Sequence, residues 1–168
     1  RPDLDVIVFR GQVDTRLAKL ADGEADATLL AYAGLKRLGK LDVPTEILDP
    51  VSFPPAPAQG AICIESRLGD DRMNGLLAAI DDRATRAAVT CERGFLATLD
   101  GSCRTPIAGY ATVEGEHLQF RGMILTPDGS QYHEIETSGP AGDAGRLGEE
   151  AGQAIRDKAG ADFFESWG

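Results

Sequence analysis

One segment limits what this chain can become more than any other. Residues 50–60 read PVSFPPAPAQG, with prolines at 50, 54, 55 and 57 and a glycine at the end. Proline fixes φ and has no backbone N–H, so neither a helix nor a central strand can run through this stretch. It is a linker or crossover, and the chain is patterned differently on its two sides.

Before the break the pattern is strand, helix, strand, helix. Val6-Ile7-Val8-Phe9 is a continuous β-rich run, Thr15 to Leu20 has helical spacing, and Ala27 to Tyr32 is a second apolar run expected to be buried. Continuous apolar strands alternating with helices predict a parallel or mixed sheet covered on both faces. Thr15 is expected to cap the helix that follows Arg10-Gly11, and backbone N–H groups beside an arginine suit an anion.

After the break, Ala61 to Glu65 reads as a strand and Asp70 to Ala79 as a helix with acidic residues at its start. Asp81 and Asp82 open a longer helix in which Ala88, Cys91, Phe95 and Leu99 recur at three- and four-residue intervals. Asp100-Gly101 marks its end. Ile107 to Val113, His117 to Leu125 and Gln131 to Glu136 alternate as short strands, separated by Glu114-Gly115-Glu116 and Pro127-Asp128-Gly129. A helix over Asp143 to Ala159 would cover one face of this meander. The expected fold class is therefore α/β plus α+β.

The 168 residues carry a formal net charge of −10, which argues against nucleic acid as a partner because phosphate binding needs a basic surface. Hydrophobic residues make up 42% and charged residues 26%, the mix of a folded globular chain. No apolar run approaches the roughly 20 residues that a membrane span needs. Arg1-Pro2-Asp3-Leu4-Asp5 has no signal-peptide character, and three cysteines do not pair, so a cytoplasmic location is expected.

Between Arg10 and Lys40 the balance reverses locally. Arg10, Arg16, Lys19, Lys36, Arg37 and Lys40 face only Asp14, Asp22, Glu24 and Asp26. Either a small anionic ligand is met here, or these are solvated charges on helix surfaces. Among the cysteines, Cys63 in an apolar strand and Cys91 in a helix stripe read as small hydrophobes. Cys103 differs, because it lies in the loop Asp100-Gly101-Ser102-Cys103-Arg104, where exposure and a neighbouring arginine favour thiolate. His117 and His133 stand far apart, with no cysteine at ligand spacing, so no metal site is expected. No glycine-rich phosphate loop occurs either.

Three stretches together resemble the porphobilinogen deaminase family: RPDLDVIVFRGQVDTRLAKL with DATLLAYAGLKRLG, then PAPAQGAICIESR, then ERGFLATLDGSCRTPIAGYA. The departures are Gln12 for the usual asparagine, Gly94 for alanine and Ser102 for glycine. The resemblance implies a hydroxymethylbilane synthase, which condenses four porphobilinogen molecules head to tail with release of ammonia. It implies growth of the oligopyrrole on a dipyrromethane cofactor held as a thioether by Cys103. Every pyrrole carries acetate and propionate, so by resemblance Arg10, Arg16 and Arg37 bind carboxylates, and Gln59 and Gly60 line the cleft.

The resemblance further implies that residues 1–58 are the latter part of a second, periplasmic-binding-protein-like lobe. Residues 59–81 would be the crossover and a returning segment of a first lobe, and 82–168 a C-terminal domain. The family's catalytic aspartate is then expected upstream of Arg1, the complete protein is expected to be a monomer, and the crossover resembles a hinge. The competing expectation is a non-catalytic module that binds an anion or a tetrapyrrole.

Overall fold

A computed structural model describes residues 3–102 and 105–167; Cys103 and Arg104 lie outside the described residues. The chain divides into two compact units, residues 1–47 and 48–168.

In the first unit, α1 (Val13–Ala21) and α2 (Tyr32–Arg37) are the helices among the described residues. α1 begins two residues before Thr15, and its N-cap, Gln12, makes no side-chain bond, so the expected threonine cap is corrected. Gly11 ahead of it has φ +140°, and a Cβ there would lie 2.9 Å from Thr15 Cγ2. Only glycine takes this entry to the helix without strain.

The expected strands at 6–9 and 27–32 form no ladder. Val6 is 89% and Val8 80% exposed, and Leu29 also faces solvent, so the expectation of burial is corrected as well. A strand exists only through its neighbours, and no described segment offers these runs a partner edge.

The second unit opens with the proline-rich segment, which forms turns and no strand. Ala61 to Glu65 also forms no ladder, and Cys63 within it is exposed, which corrects the expectation of a buried small hydrophobe. α3 (Asp71–Ala78) is capped by Asp70, whose carboxylate accepts from Met73 N at 2.9 Å. α4 (Arg83–Thr98) is capped in the same way by Asp82, accepting from Thr85 N at 2.7 Å. Asp81 instead takes a two-pronged ion pair from Arg86, at 2.6 and 2.7 Å.

β1 (Ile107–Glu114), β2 (His117–Leu125) and β3 (Tyr132–Pro140) form an antiparallel sheet in the order β1-β2-β3. Alternation decides its two faces. Ile107, Ala111, Leu118, Phe120 and Ile124 are buried, while Tyr110, Arg121 and Glu136 form one cross-strand row on the other face. α5 (Ala144–Ala159) follows a 3₁₀ turn at Ala141–Asp143, and α6 (Ala161–Glu165) closes the module.

The core joins Cys91, Phe95 and Leu99 of α4 to Leu147, Ala151 and Ile155 of α5 and Phe163 of α6. The expected α4 stripe and antiparallel meander are both present. α6 was not expected; it inserts Phe163, while Trp167 Nε1 donates to Leu125 O at 2.8 Å. α4 and α5 approach so closely that a Cβ at Gly148 would lie 2.0 Å from Cys91 O. No helix among the described residues is long and apolar enough to cross a membrane.

Candidate functional site

The cations of the first unit are held in different ways, Lys36 being exposed with no ion pair among the described residues. Lys40 pairs with Asp14 at 2.9 Å and Lys19 with Glu24 at 3.3 Å, and Lys19 also lies over the Phe9 ring. Arg10 and Arg37 are exposed and make no hydrogen bond or ion pair among the described residues. Arg16 is half-buried on α1. Its Nη1 reaches Leu29 O only at 3.5 Å, and its Nε is buried without any partner. A buried guanidinium N–H without an acceptor costs free energy until an acceptor arrives.

Arg16 packs against Gly11, the residue after Arg10: a Cβ on Gly11 would lie 3.6 Å from Arg16 Cγ. Arg37 comes from the last turn of α2. Gln59 and Gly60 lie in the turn that ends the proline-rich segment, where Ala58 has φ +62° and Gly60 φ +83°. Both are exposed.

Cys103 lies outside the described residues, and the described residues on either side of it, Ser102 and Thr105, are bonded to each other. Ser102 N donates to Thr105 Oγ1 at 2.5 Å, and that hydroxyl donates back to Ser102 O at 2.7 Å. Ile107 N then donates to Thr105 O as β1 begins. Ser102 and Thr105 are thus pinched together between α4 and β1. The α4 thiol, Cys91, is fully buried, and burial pushes it up to about 12. It is an unreactive core group.

These features match known proteins along most of the chain. The family model "Porphobilinogen deaminase, dipyromethane cofactor binding domain" matches residues 1–75, and "Porphobilinogen deaminase, C-terminal domain" matches 86–157. A porphobilinogen deaminase of Nitrobacter hamburgensis is 55% identical over 164 residues, 98% of this chain.

The chain belongs to the porphobilinogen deaminase family. It spans about half the length of that curated relative, 52% of it. In porphobilinogen deaminase terms, the match to the cofactor-binding domain contains Arg10, Arg16, Arg37, Gln59 and Gly60, and the match to the C-terminal domain contains Cys103. The family's dipyrromethane carries several carboxylates. The first unit fits such a group, since among the described residues Arg16 presents a buried N–H with no acceptor and Arg10 and Arg37 have no competing anion.

Sequence reasoning missed Glu92. It is 6% exposed, and its two oxygens accept from Ala58 N at 2.6 Å and Ala111 N at 2.8 Å. Burial raises its carboxyl above the usual range, although both backbone bonds oppose the shift. A signal was present: 88, 91, 92, 95 and 99 are the positions of one helix face, and an acid among them is anomalous. The outer face of the sheet also bears a groove of about 510 Å³, lined by Val51, Tyr110, Thr112, Gln119, Arg121 and Glu136. None of these was a candidate from the sequence.

Proposed function

We propose that this chain serves hydroxymethylbilane synthesis: a transferase that condenses four porphobilinogen molecules head to tail, releasing ammonia, in tetrapyrrole and heme biosynthesis. The observation that carries this reading is the contrast between charges. Lys19 and Lys40 are paired with acids, whereas among the described residues Arg10, Arg37 and Lys36 have no ion pair and Arg16 holds a buried N–H in reserve. Carboxylate-rich pyrroles are the ligands such arginines suit.

In this reading Cys103 carries the dipyrromethane as a thioether. Bound there, the cofactor supplies the pyrrole end on which the oligopyrrole is built. The residues of the chain do the holding. Arg10, Arg16 and Arg37 bind carboxylates and neutralise their accumulating charge, and the Ser102–Thr105 pinch fixes both ends of the loop that bears the thiol. Arg104, next in sequence to Cys103, favours the thiolate from which the thioether forms. Gln59 and Gly60 line the cleft. Residues 1–58 complete a periplasmic-binding-protein-like second lobe, 59–81 cross over and return to a first lobe, and 82–168 form the third domain.

The catalytic aspartate of the family is assigned outside these 168 residues. The complete protein acts as a cytoplasmic monomer on porphobilinogen and the growing oligopyrrole, without nucleic acid or membrane partners. Incubating the full-length protein with porphobilinogen tests the reading. Hydroxymethylbilane is expected, together with a dipyrromethane-sized mass increment on the Cys103 peptide that disappears in Cys103→Ser. An unmodified Cys103 in protein that binds oligopyrroles without elongating them would favour a non-catalytic binding module instead.

A further inference from the structure

β1 is an edge strand, and its outward N–H groups need partners other than a fourth strand. Gly109 N donates to Pro55 O at 2.9 Å, and two residues on Ala111 N donates to Glu92 Oε1 at 2.8 Å. The other oxygen of Glu92 accepts from Ala58 N at 2.6 Å. A third tie comes from the outer face of the sheet, where Arg121 Nη1 donates to Val51 O at 2.7 Å while Nη2 holds Glu134 at 3.0 Å. A segment that proline composition makes look like a free linker is therefore fastened to the C-terminal module at Val51, Pro55 and Ala58.

We propose that Glu92 is a positioning residue: its carboxylate bridges the edge of β1 to Ala58 and thereby sets the turn that presents Gln59 and Gly60. The backbone supports this, because Ala58 has φ +62°, a conformation that a residue with a Cβ keeps only when its surroundings insist. The bond to Glu92 supplies that insistence. Glutamine cannot replace it, because one of its two terminal atoms is a donor and would face a backbone N–H. Arg121 and Pro55 secure the same strap on the N-terminal side of the turn, so the proline-rich segment moves with the C-terminal module instead of hinging within itself. The inference rests on the proposed function only in the role it gives to Gln59 and Gly60.

The test uses full-length protein labelled uniformly with ¹⁵N, read by amide exchange and chemical shift. In the wild type, Ala58 N–H is expected to be protected and shifted downfield by its charged acceptor, as is Ala111 N–H. Glu92→Gln should move both upfield and speed exchange over residues 55–62 by about tenfold, leaving Ala151 in α5 unchanged. Arg121→Gln should speed exchange over residues 49–54 alone. A wild-type Ala58 amide that exchanges like unstructured chain overturns the proposal even if Glu92→Gln fails to fold. So does a uniform rise across the module in Glu92→Gln, which would reduce Glu92 to a core-packing role. None of these measurements needs turnover. A protein that makes no hydroxymethylbilane would remove the role of Gln59 and Gly60 and leave the strap intact.

Discussion

The module over residues 83–167 and the unit over residues 1–47 solve the burial problem in opposite ways. In the module, every apolar face meets another: α4, α5 and the inner face of the sheet close on Phe95, Leu118, Ile124 and Ile155, all nearly inaccessible to solvent. In the first unit, Leu35 is the one buried large hydrophobic among the described residues, while Val6, Val8 and Leu29 face solvent. By sequence the first unit is the more apolar of the two. Closure depends on partners in reach: hairpins bring β1, β2 and β3 together within short loops, but continuous apolar runs need crossover neighbours.

The sharpest way to test the contrast is thiol chemistry. Alkylation of the native chain at about pH 8 should label Cys63, which is exposed, and leave Cys91 unmodified until the module unfolds, a rate difference of several orders of magnitude. Peptide mass mapping reads it. Equal labelling of both would mean that α4 is not packed as described.

Gly148→Ala comes next. The added methyl meets Cys91 O at 2.0 Å, so α4 and α5 must separate, at a cost of about 3 kcal/mol in thermal or denaturant unfolding. Gly142→Ala, with open space around it, is the control and should cost little.

In the first unit the largest effect should fall on binding. Arg16→Ala in the full-length protein should weaken retention of the cofactor or substrate carboxylates by about 1.5–3 kcal/mol per lost charged hydrogen bond, with unfolding little changed. Lys19→Ala should do neither. Cofactor loading by intact mass and the KM for porphobilinogen separate the two.

A smaller effect belongs to the turn after β2. The hydroxyls of Thr126 and Ser130 and the Ser130 amide donate to Asp128 and hold its carboxyl down to about 2, from an ordinary 3.8. An acid lowered by folding stabilises the native state above its unfolded value and loses that contribution as pH falls through its folded one. Wild type should therefore exceed Asp128→Asn in stability above pH 3.8, and the gap should close as pH falls towards about 2. The least effect is expected for Val6→Ser in this 168-residue chain, within about 0.5 kcal/mol, because the side chain is already in water.

Much of the module could be read in advance because its signals are local. Asp70 and Asp82 cap the helices they were expected to start, the α4 stripe is buried, and the turns at Glu114–Glu116 and Pro127–Gly129 join the strands as expected. The arginines were legible as a charge imbalance, and the lysines beside them as ordinary surface charge. What was misread depended on non-local pairing. Val6–Phe9 and Ala61–Glu65 have strand composition without a partner edge, and Cys63 is exposed for the same reason.

The sequence by itself determined the helices up to α5, the meander, the family and the residue types that suit carboxylate-bearing pyrroles. Caps, turns and apolar periodicity act within a few residues, and motif identity needs no coordinates. Only the tertiary structure decided that Glu92 is a bridge and not a surface acid, that Arg16 keeps a buried N–H unsatisfied, and that the proline-rich segment is strapped to β1. Ala58 and Glu92 are 34 residues apart, and only the folded chain brings that N–H and that carboxylate within 2.6 Å.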